Sequence, residues 1–158
     1  MKPSEVIKLI KEKDLQFVDV KFMDFPGTQQ HFTFSANKID EDAFEDGLGF
    51  DGSSIRGWQA IDQSDMLVMP DATTAMIDPF CEIPTLSIVG NIVDPITKEK
   101  YTRDPRNTAI KAEAYLKSSG IGDTAFVGPE LEFFVFSEAM YAYSPHEAFF
   151  RIDSPEAI

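Results

Sequence analysis

The sequence predicts an α+β fold in which a helix packs on a small mixed sheet. Three observations carry that expectation: an amphipathic opening segment, a pair of strand-like runs parted by Pro26-Gly27, and later apolar runs each bounded by Pro, Asp or Gly. With 158 residues and 43% hydrophobic content, the chain has enough apolar material for a packed core.

From Pro3 to Lys13, Val6, Ile7, Leu9 and Ile10 fall on one side of a 3.6-residue period and lysines on the other, which predicts a short amphipathic helix. Phe17–Phe25 and Gln30–Phe34 read as two strands, and Pro26-Gly27 between them suits the turn of a hairpin. A weaker helical segment, Asp40–Asp46, ends at Gly47, and a cluster of Gly, Asp and Ser over Gly47–Gly57 reads as a loop. Met66–Met69, Thr73–Ile77 and Pro84–Val93 read as further strands. At Asp104-Pro105 the pattern turns helical: Asp can cap, Pro fits the first turn, Ala109, Ala112 and Leu116 line one face, and Gly120 supplies the stop. A loop over Ile121–Thr124 then leads into a strand over Gly128–Phe136. A domain boundary is expected at residue 103, giving segments 1–103 and 104–158.

A net charge of −13 and a pI near 4.4 would repel the backbone of nucleic acid and an anionic membrane face, so neither is an expected partner. The longest uncharged stretch, Ile83–Val93, has eleven residues, short of the roughly twenty that span a bilayer. The first fourteen residues carry four lysines among acids and no signal-like apolar core. The single cysteine, Cys81, allows no internal disulfide and is expected to pack. Together these features lead to an expectation of a soluble, cytoplasmic protein.

Within the expected strand Gly128–Phe136, Glu130 and Glu132 lie two residues apart. Strand side chains alternate faces, so the two carboxylates point the same way, about 6.7 Å apart along the backbone. Buried carboxylates need a partner, and nothing basic lies in this run. Hard oxygen donors suit Mg²⁺ or Mn²⁺, and this spacing favours two neighbouring ions over one bridged pair. The alternative is a solvent-facing Glu-x-Glu at a sheet edge. Phe134 and Phe136, which continue the same face, argue for a cleft.

The second candidate is Phe50-Asp51-Gly52-Ser53-Ser54-Ile55-Arg56-Gly57-Trp58. Asp-Gly by itself is a turn signal. Here an anion, two hydroxyls and an indole within eight residues could hold a small cation by charge, hydrogen bonds and a π-face. The segment is not a phosphate-binding P-loop, because G-x-x-x-x-G-K-[ST] is absent. His31, His146 and the pair Asp62 and Asp65 read as structural or solvated, and Arg103 and Arg106 as helix-boundary charges, although an arginine near an acidic cleft could contact substrate. Cys81 lacks an adjacent base or a C-x-x-C partner, which argues against a nucleophile.

Taken in order, the Phe50–Trp58 segment, Ser64-Asp65-Met66, Pro70-Asp71, Asp78-Pro79-Phe80, Tyr101-Thr102-Arg103-Asp104-Pro105-Arg106 and Gly128-Pro129-Glu130-Leu131-Glu132-Phe133 closely resemble the amino-terminal part of a bacterial type I glutamine synthetase. The resemblance implies a β-grasp-like domain over 1–103 and, over 104–158, the helix and strand that begin a catalytic domain. It implies ATP-dependent joining of glutamate and ammonium through γ-glutamyl phosphate, with Mg²⁺ or Mn²⁺ between the reacting oxygens. By the same resemblance Asp51 binds ammonium and helps take its proton, and Ser54 lies beside that pocket. Glu132 ligates the metal near glutamate, and Glu130 the metal near the ATP phosphates. A homo-oligomer of two stacked six-membered rings is implied, with the Asp51 loop reaching into a neighbour's site. Ile158 falls roughly a third of the way along a typical family member. The remaining metal ligands and substrate arginines are therefore missing, so a truncated fragment, inactive alone, is expected. Two alternatives stay open: a ligase of the same fold using an amine, and a non-catalytic β-grasp module for subunit association.

Overall fold

The computed structural model describes residues 1–156. The chain divides into two compact units, Met1–Thr124 and Ala125–Ile158. In the first, α1 (Pro3–Glu12) starts at a proline, with the Lys2 amide donating to Glu5 Oε2 at 2.7 Å. Its apolar stripe buries Val6 and Ile10. β1 (Phe17–Met23) and β2 (Gln29–Ser35) form the expected antiparallel hairpin, in register from Phe17 opposite Ser35 to Met23 opposite Gln29. The connecting turn is held by Asp24, whose Oδ1 accepts the Thr28 amide at 2.7 Å and whose Oδ2 accepts from Gln30 Nε2 at 2.8 Å. Gly27 sits there at φ 96°, a conformation that side chains disfavour. β1 ends two residues earlier than the sequence reading placed it, β2 extends one residue further at each end, and Phe25 is exposed in the turn.

A single helical turn, α2 (Asp42–Glu45), precedes β3 (Leu48–Asp51), β4 (Asp65–Pro70), the two-residue β5 (Met76–Ile77) and the long β6 (Thr85–Val93). The sheet order is β2-β1-β6-β4-β3, with β5 on β6. Its centre is the parallel pair of β1 and β6, Phe17 opposite Thr85 through Lys21 opposite Val89, and every other pairing in the sheet is antiparallel. This central position explains why Thr85–Val93 reads as a strand without a charge: Leu86, Ile88 and Ile92 are almost wholly buried, and so are the small polar residues Thr85 and Ser87, which alternate with them. Thr73–Ile77, expected as one strand, is instead a 3₁₀ turn over Ala72–Thr74 followed by β5, because Asp71 Oδ1 accepts the Thr73 amide at 3.0 Å and caps the turn.

β1 keeps Val18, Val20 and Phe22 in the core and presents Asp19 and Lys21 to the other face. Asp19 Oδ1 lies 2.8 Å from His31 Nδ1 and accepts from Thr33 Oγ1 at 2.8 Å, and Lys21 Nζ meets Asp78 Oδ2 at 3.2 Å. His31, read as structural or solvated, makes this contact from a largely exposed side chain. Cys81, expected to pack, is exposed in the turn after Asp78.

The helix at residue 105 forms as α3 (Pro105–Ser119), capped by Asp104 and ended by Gly120 at φ 70°. Its predicted apolar face does not dock: Ala109 and Ala112 are exposed, and the only buried residue of α3 is Asn107. The helix is pinned through its first turn by polar groups instead. Asp104 Oδ2 accepts the Ile92 amide at 2.9 Å, and Asn107 Nδ2 donates to the carbonyls of Ile92 at 2.9 Å and Tyr101 at 3.2 Å.

The second unit holds a hairpin the sequence reading missed, β7 (Glu138–Ser144) and β8 (Glu147–Asp153), paired from Glu138 opposite Asp153 to Ser144 opposite Glu147 across a Pro145-His146 turn. Alternating Tyr141 and Tyr143 before that turn were the available signal. Gly128–Phe136, expected as a strand, belongs to no strand among the described residues. A β-strand exists by pairing its amides with a neighbour, and this run has high strand propensity but no paired neighbour here. No helix among the described residues is long and apolar enough to cross a membrane.

Candidate functional site

Asp51 is the last residue of β3, not part of a loop as expected, because Leu48 and Phe50 alternate with Gly49 and pair along β4, setting Phe50 opposite Met66 and Asp51 opposite Asp65. The chain then turns through the 3₁₀ segment Gly52–Ser54. Gly52 makes the turn possible. Its amide donates to Ser64 O at 2.6 Å, and a Cβ at this position would meet Met66 Cγ at 2.7 Å.

The carboxylate of Asp51 is exposed and closes a small ring of donors. Oδ1 accepts from Ser53 Oγ at 2.6 Å and from the Ser53 amide at 2.8 Å, while Oδ2 accepts from Ser54 Oγ at 3.1 Å. These bonds, that of the Ser53 hydroxyl first, lower its pKa below the ordinary aspartate value. The sequence reading therefore grouped Asp51 with Ser54 correctly in space. Both also line a 360 Å³ cavity with Phe22, Phe32, Phe34 and Phe50.

Trp58 is placed differently from the sequence reading. It is 3% exposed, its ring 5.3–6.0 Å from those of Phe22, Phe50 and Tyr101, so its π-face is committed to the core and offers no surface to a cation. Two further residues were missed. Tyr101 Oη donates to Trp58 O at 2.9 Å, and Arg103 Nη1 donates to Gly57 O at 2.6 Å and Trp58 O at 2.9 Å. No sequence spacing links positions 43 to 46 residues apart, and Arg103, read as a helix-boundary charge, bonds instead to the backbone after the Asp51 turn. Arg106 pairs with Asp71, joining α3 to the turn after β4. Burial works to raise the Asp71 pKa, but the hydroxyl and amide of Thr73 and the Arg106 charge outweigh it, and the net shift is downward.

Glu130 and Glu132 are exposed in the second unit, outside any strand, as are Phe134 and Phe136, whose rings stack at 6.1 Å. The buried, cleft-lining arrangement expected for this run is thus not formed. Among the described residues no group of three or more His, Cys, Asp or Glu is placed to hold a metal ion.

The family model described as "Glutamine synthetase, beta-Grasp domain" matches residues 14–95, and that described as "Glutamine synthetase, catalytic domain" matches residues 102–157. The chain is 56% identical over 153 residues to a glutamine synthetase of Rhizobium meliloti (strain 1021), covering 97% of this chain and 33% of the relative. Against that of Frankia alni it is 53% identical over 156 residues, covering 99% of this chain and 33% of the relative. The chain thus spans about a third of the length of the curated relatives it matches. A cryo-EM structure of Plasmodium falciparum glutamine synthetase superposes with a TM-score of 0.80 at 25% identity, over 99% of this chain and 30% of that one. With a parallel β1–β6 centre, the Asp51 turn and two family models in succession, the chain belongs to the glutamine synthetase family, matching its β-grasp domain and the start of its catalytic domain.

Proposed function

We propose that this chain contributes the ammonium-binding turn and two metal-binding glutamates to an ATP-dependent glutamate–ammonia ligase. One arrangement carries the reading: an exposed Asp51 carboxylate, kept ionised by the Ser53 and Ser54 donors at the end of a rigid strand. A lowered pKa makes it a better anchor for a cation and a weaker base. Its first role is then to hold ammonium, with the Ser54 hydroxyl fixing the second carboxylate oxygen. Proton transfer follows: ammonium has no free electron pair, so it first gives one proton to Asp51, the ammonia so formed attacks the acyl carbon of γ-glutamyl phosphate, the C–N bond forms, phosphate leaves with the C–O electron pair, and the second surplus proton on nitrogen leaves with the phosphate.

Glu130 and Glu132 present two hard oxygen donors, which fit Mg²⁺ or Mn²⁺ but supply too few ligands for a closed site by themselves. In this reading Glu130 would hold an ion on the ATP phosphate side and Glu132 one beside glutamate, and the chemistry such ions would supply is neutralisation of charge in phosphoryl transfer. The boundary between domains lies at residue 103. The protein acts in the cytoplasm as two stacked six-membered rings, the Asp51 turn of one subunit serving its neighbour, and the chain alone is inactive.

The test replaces the matching third of the Rhizobium meliloti protein with residues 1–156 and assays γ-glutamyl transfer. Asp51→Ala and Glu132→Ala should each lower the rate by about 10²-fold or more, the usual scale for loss of a positioned catalytic group. Full activity of both variants in assembled rings would remove the assignments.

A further inference from the structure

We infer that Tyr101 and Arg103 are positioning residues that hold the Asp51 turn in place by clamping its far end, an inference that rests on the role proposed for Asp51. The segment from Asp51 to Trp58 is anchored at its start by β3 and the Gly52 amide. Beyond Ser54 it continues through two weak internal bonds, Ile55 amide to Gly52 O and Trp58 amide to Ile55 O, both 3.2 Å, and through Gly57 at φ 80°. Left to those, the turn would fray, because exposed single-turn segments open at little free-energy cost. Three hydrogen bonds from two side chains, Tyr101 and Arg103, converge on the consecutive carbonyls of Gly57 and Trp58. The guanidinium bonds are charge-assisted and so are the stronger part of the clamp.

The clamp is itself fixed. The Tyr101 ring lies 5.3 Å from that of Trp58, edge to face, its amide donates to Ile92 O of β6 at 2.9 Å, and its carbonyl accepts from Asn107. The position of Asp51 thus depends on the strand–helix junction at residues 101–107, although no residue there touches the carboxylate.

The experiment uses the whole chain first. Arg103→Ala, Arg103→Lys and Tyr101→Phe are compared by amide hydrogen exchange and by NMR titration of the Asp51 carboxylate. Arg103→Ala should speed exchange at Ser53, Ile55 and Trp58 by about tenfold or more, the scale of one lost bond to a charged donor, and move the Asp51 midpoint back toward the ordinary value. Arg103→Lys should restore part of both, and exchange at Val20 and Ile88 should not change. Unaltered exchange and titration in Arg103→Ala and Tyr101→Phe would overturn the clamp. Arg103 is exposed, so its variants test the idea even if Tyr101→Phe folds poorly. In the chimera with the Rhizobium meliloti protein, Arg103→Ala should raise the KM for ammonium and leave that for ATP in place. A loosened turn with an unchanged ammonium KM would sink the role of Asp51 and leave the clamp standing.

Discussion

Asp104, wholly buried at the start of α3, accepts the Ile92 amide of the central strand β6 through Oδ2 at 2.9 Å, while its Oδ1 accepts the Arg106 amide at 2.9 Å. One side chain thus caps a helix and ends a sheet. Asp104→Ala removes the cap and strands a buried amide, two losses of about 1 kcal/mol and about 1–3 kcal/mol. Urea denaturation should therefore show about 2–4 kcal/mol less stability with an unchanged m-value. A loss under half a kcal/mol would mean that α3 is not pinned through this residue.

Acid should act on Asp104 and Asp71 in opposite directions. Burial raises the Asp104 pKa, outweighing the amides that bond it, so its contribution to stability is greatest in acid and fades as pH rises through its folded value. Asp71 is lowered by Thr73 and Arg106 against the pull of burial, so its contribution is present above the ordinary aspartate pKa, about 3.9, and is lost as pH falls through its folded value. Asp71→Asn should accordingly flatten the acid limb of a stability–pH curve measured between pH 2 and 6. An acid limb of unchanged slope would show that the Asp71–Arg106 pair does not differ between the folded and unfolded chain.

Gly52→Ala places a methyl group against the Met66 side chain and 3.2 Å from Ser64 O. Overpacking of this kind destabilises by about 1–3 kcal/mol. Because the conflict is largely with one flexible side chain, Met66→Ala, itself costing about 2–5 kcal/mol, should be partly rescued by it. The double-mutant cycle should give a favourable coupling of about 1 kcal/mol, and additive effects would contradict the close approach.

The β7–β8 hairpin is exposed along most of its length, and two-stranded ribbons are marginal in water. Amide exchange at Tyr141 and Phe150, which face each other across it, should be fast, within about a hundredfold of an unfolded peptide. Protection there matching that of Val20 would mean that the second unit is stabilised by contacts beyond its own pairing.

The centre of the β-grasp sheet was readable because β1, β2 and β6 obey local rules. Val18, Val20 and Phe22 alternate, Thr85–Val93 is uncharged and rich in branched apolar residues, and Pro26-Gly27 turns the chain between hydrophobic runs. β3 was not readable as a strand, because two glycines and an aspartate within Gly47–Asp51 carry stronger turn signals than Leu48 and Phe50 carry strand signals. Trp58 was misplaced for a related reason: composition put an indole near a carboxylate, but only the tertiary fold decides which way the ring faces. For Gly128–Phe136 the propensity was plain and the pairing partner absent, so the sequence spoke of a preference that the described residues do not fulfil. The Tyr101 and Arg103 contacts are long-range bonds to backbone carbonyls, which no side-chain motif encodes.

The parallel β1–β6 centre joins Phe17 to Thr85, residues sixty-eight positions apart, with β2, β3 and β4 made in between. During synthesis the first hairpin must therefore wait, one edge of β1 unpaired, until most of the domain has left the ribosome. That open edge is a template for pairing with another nascent chain until Thr85–Val93 arrives to cover it.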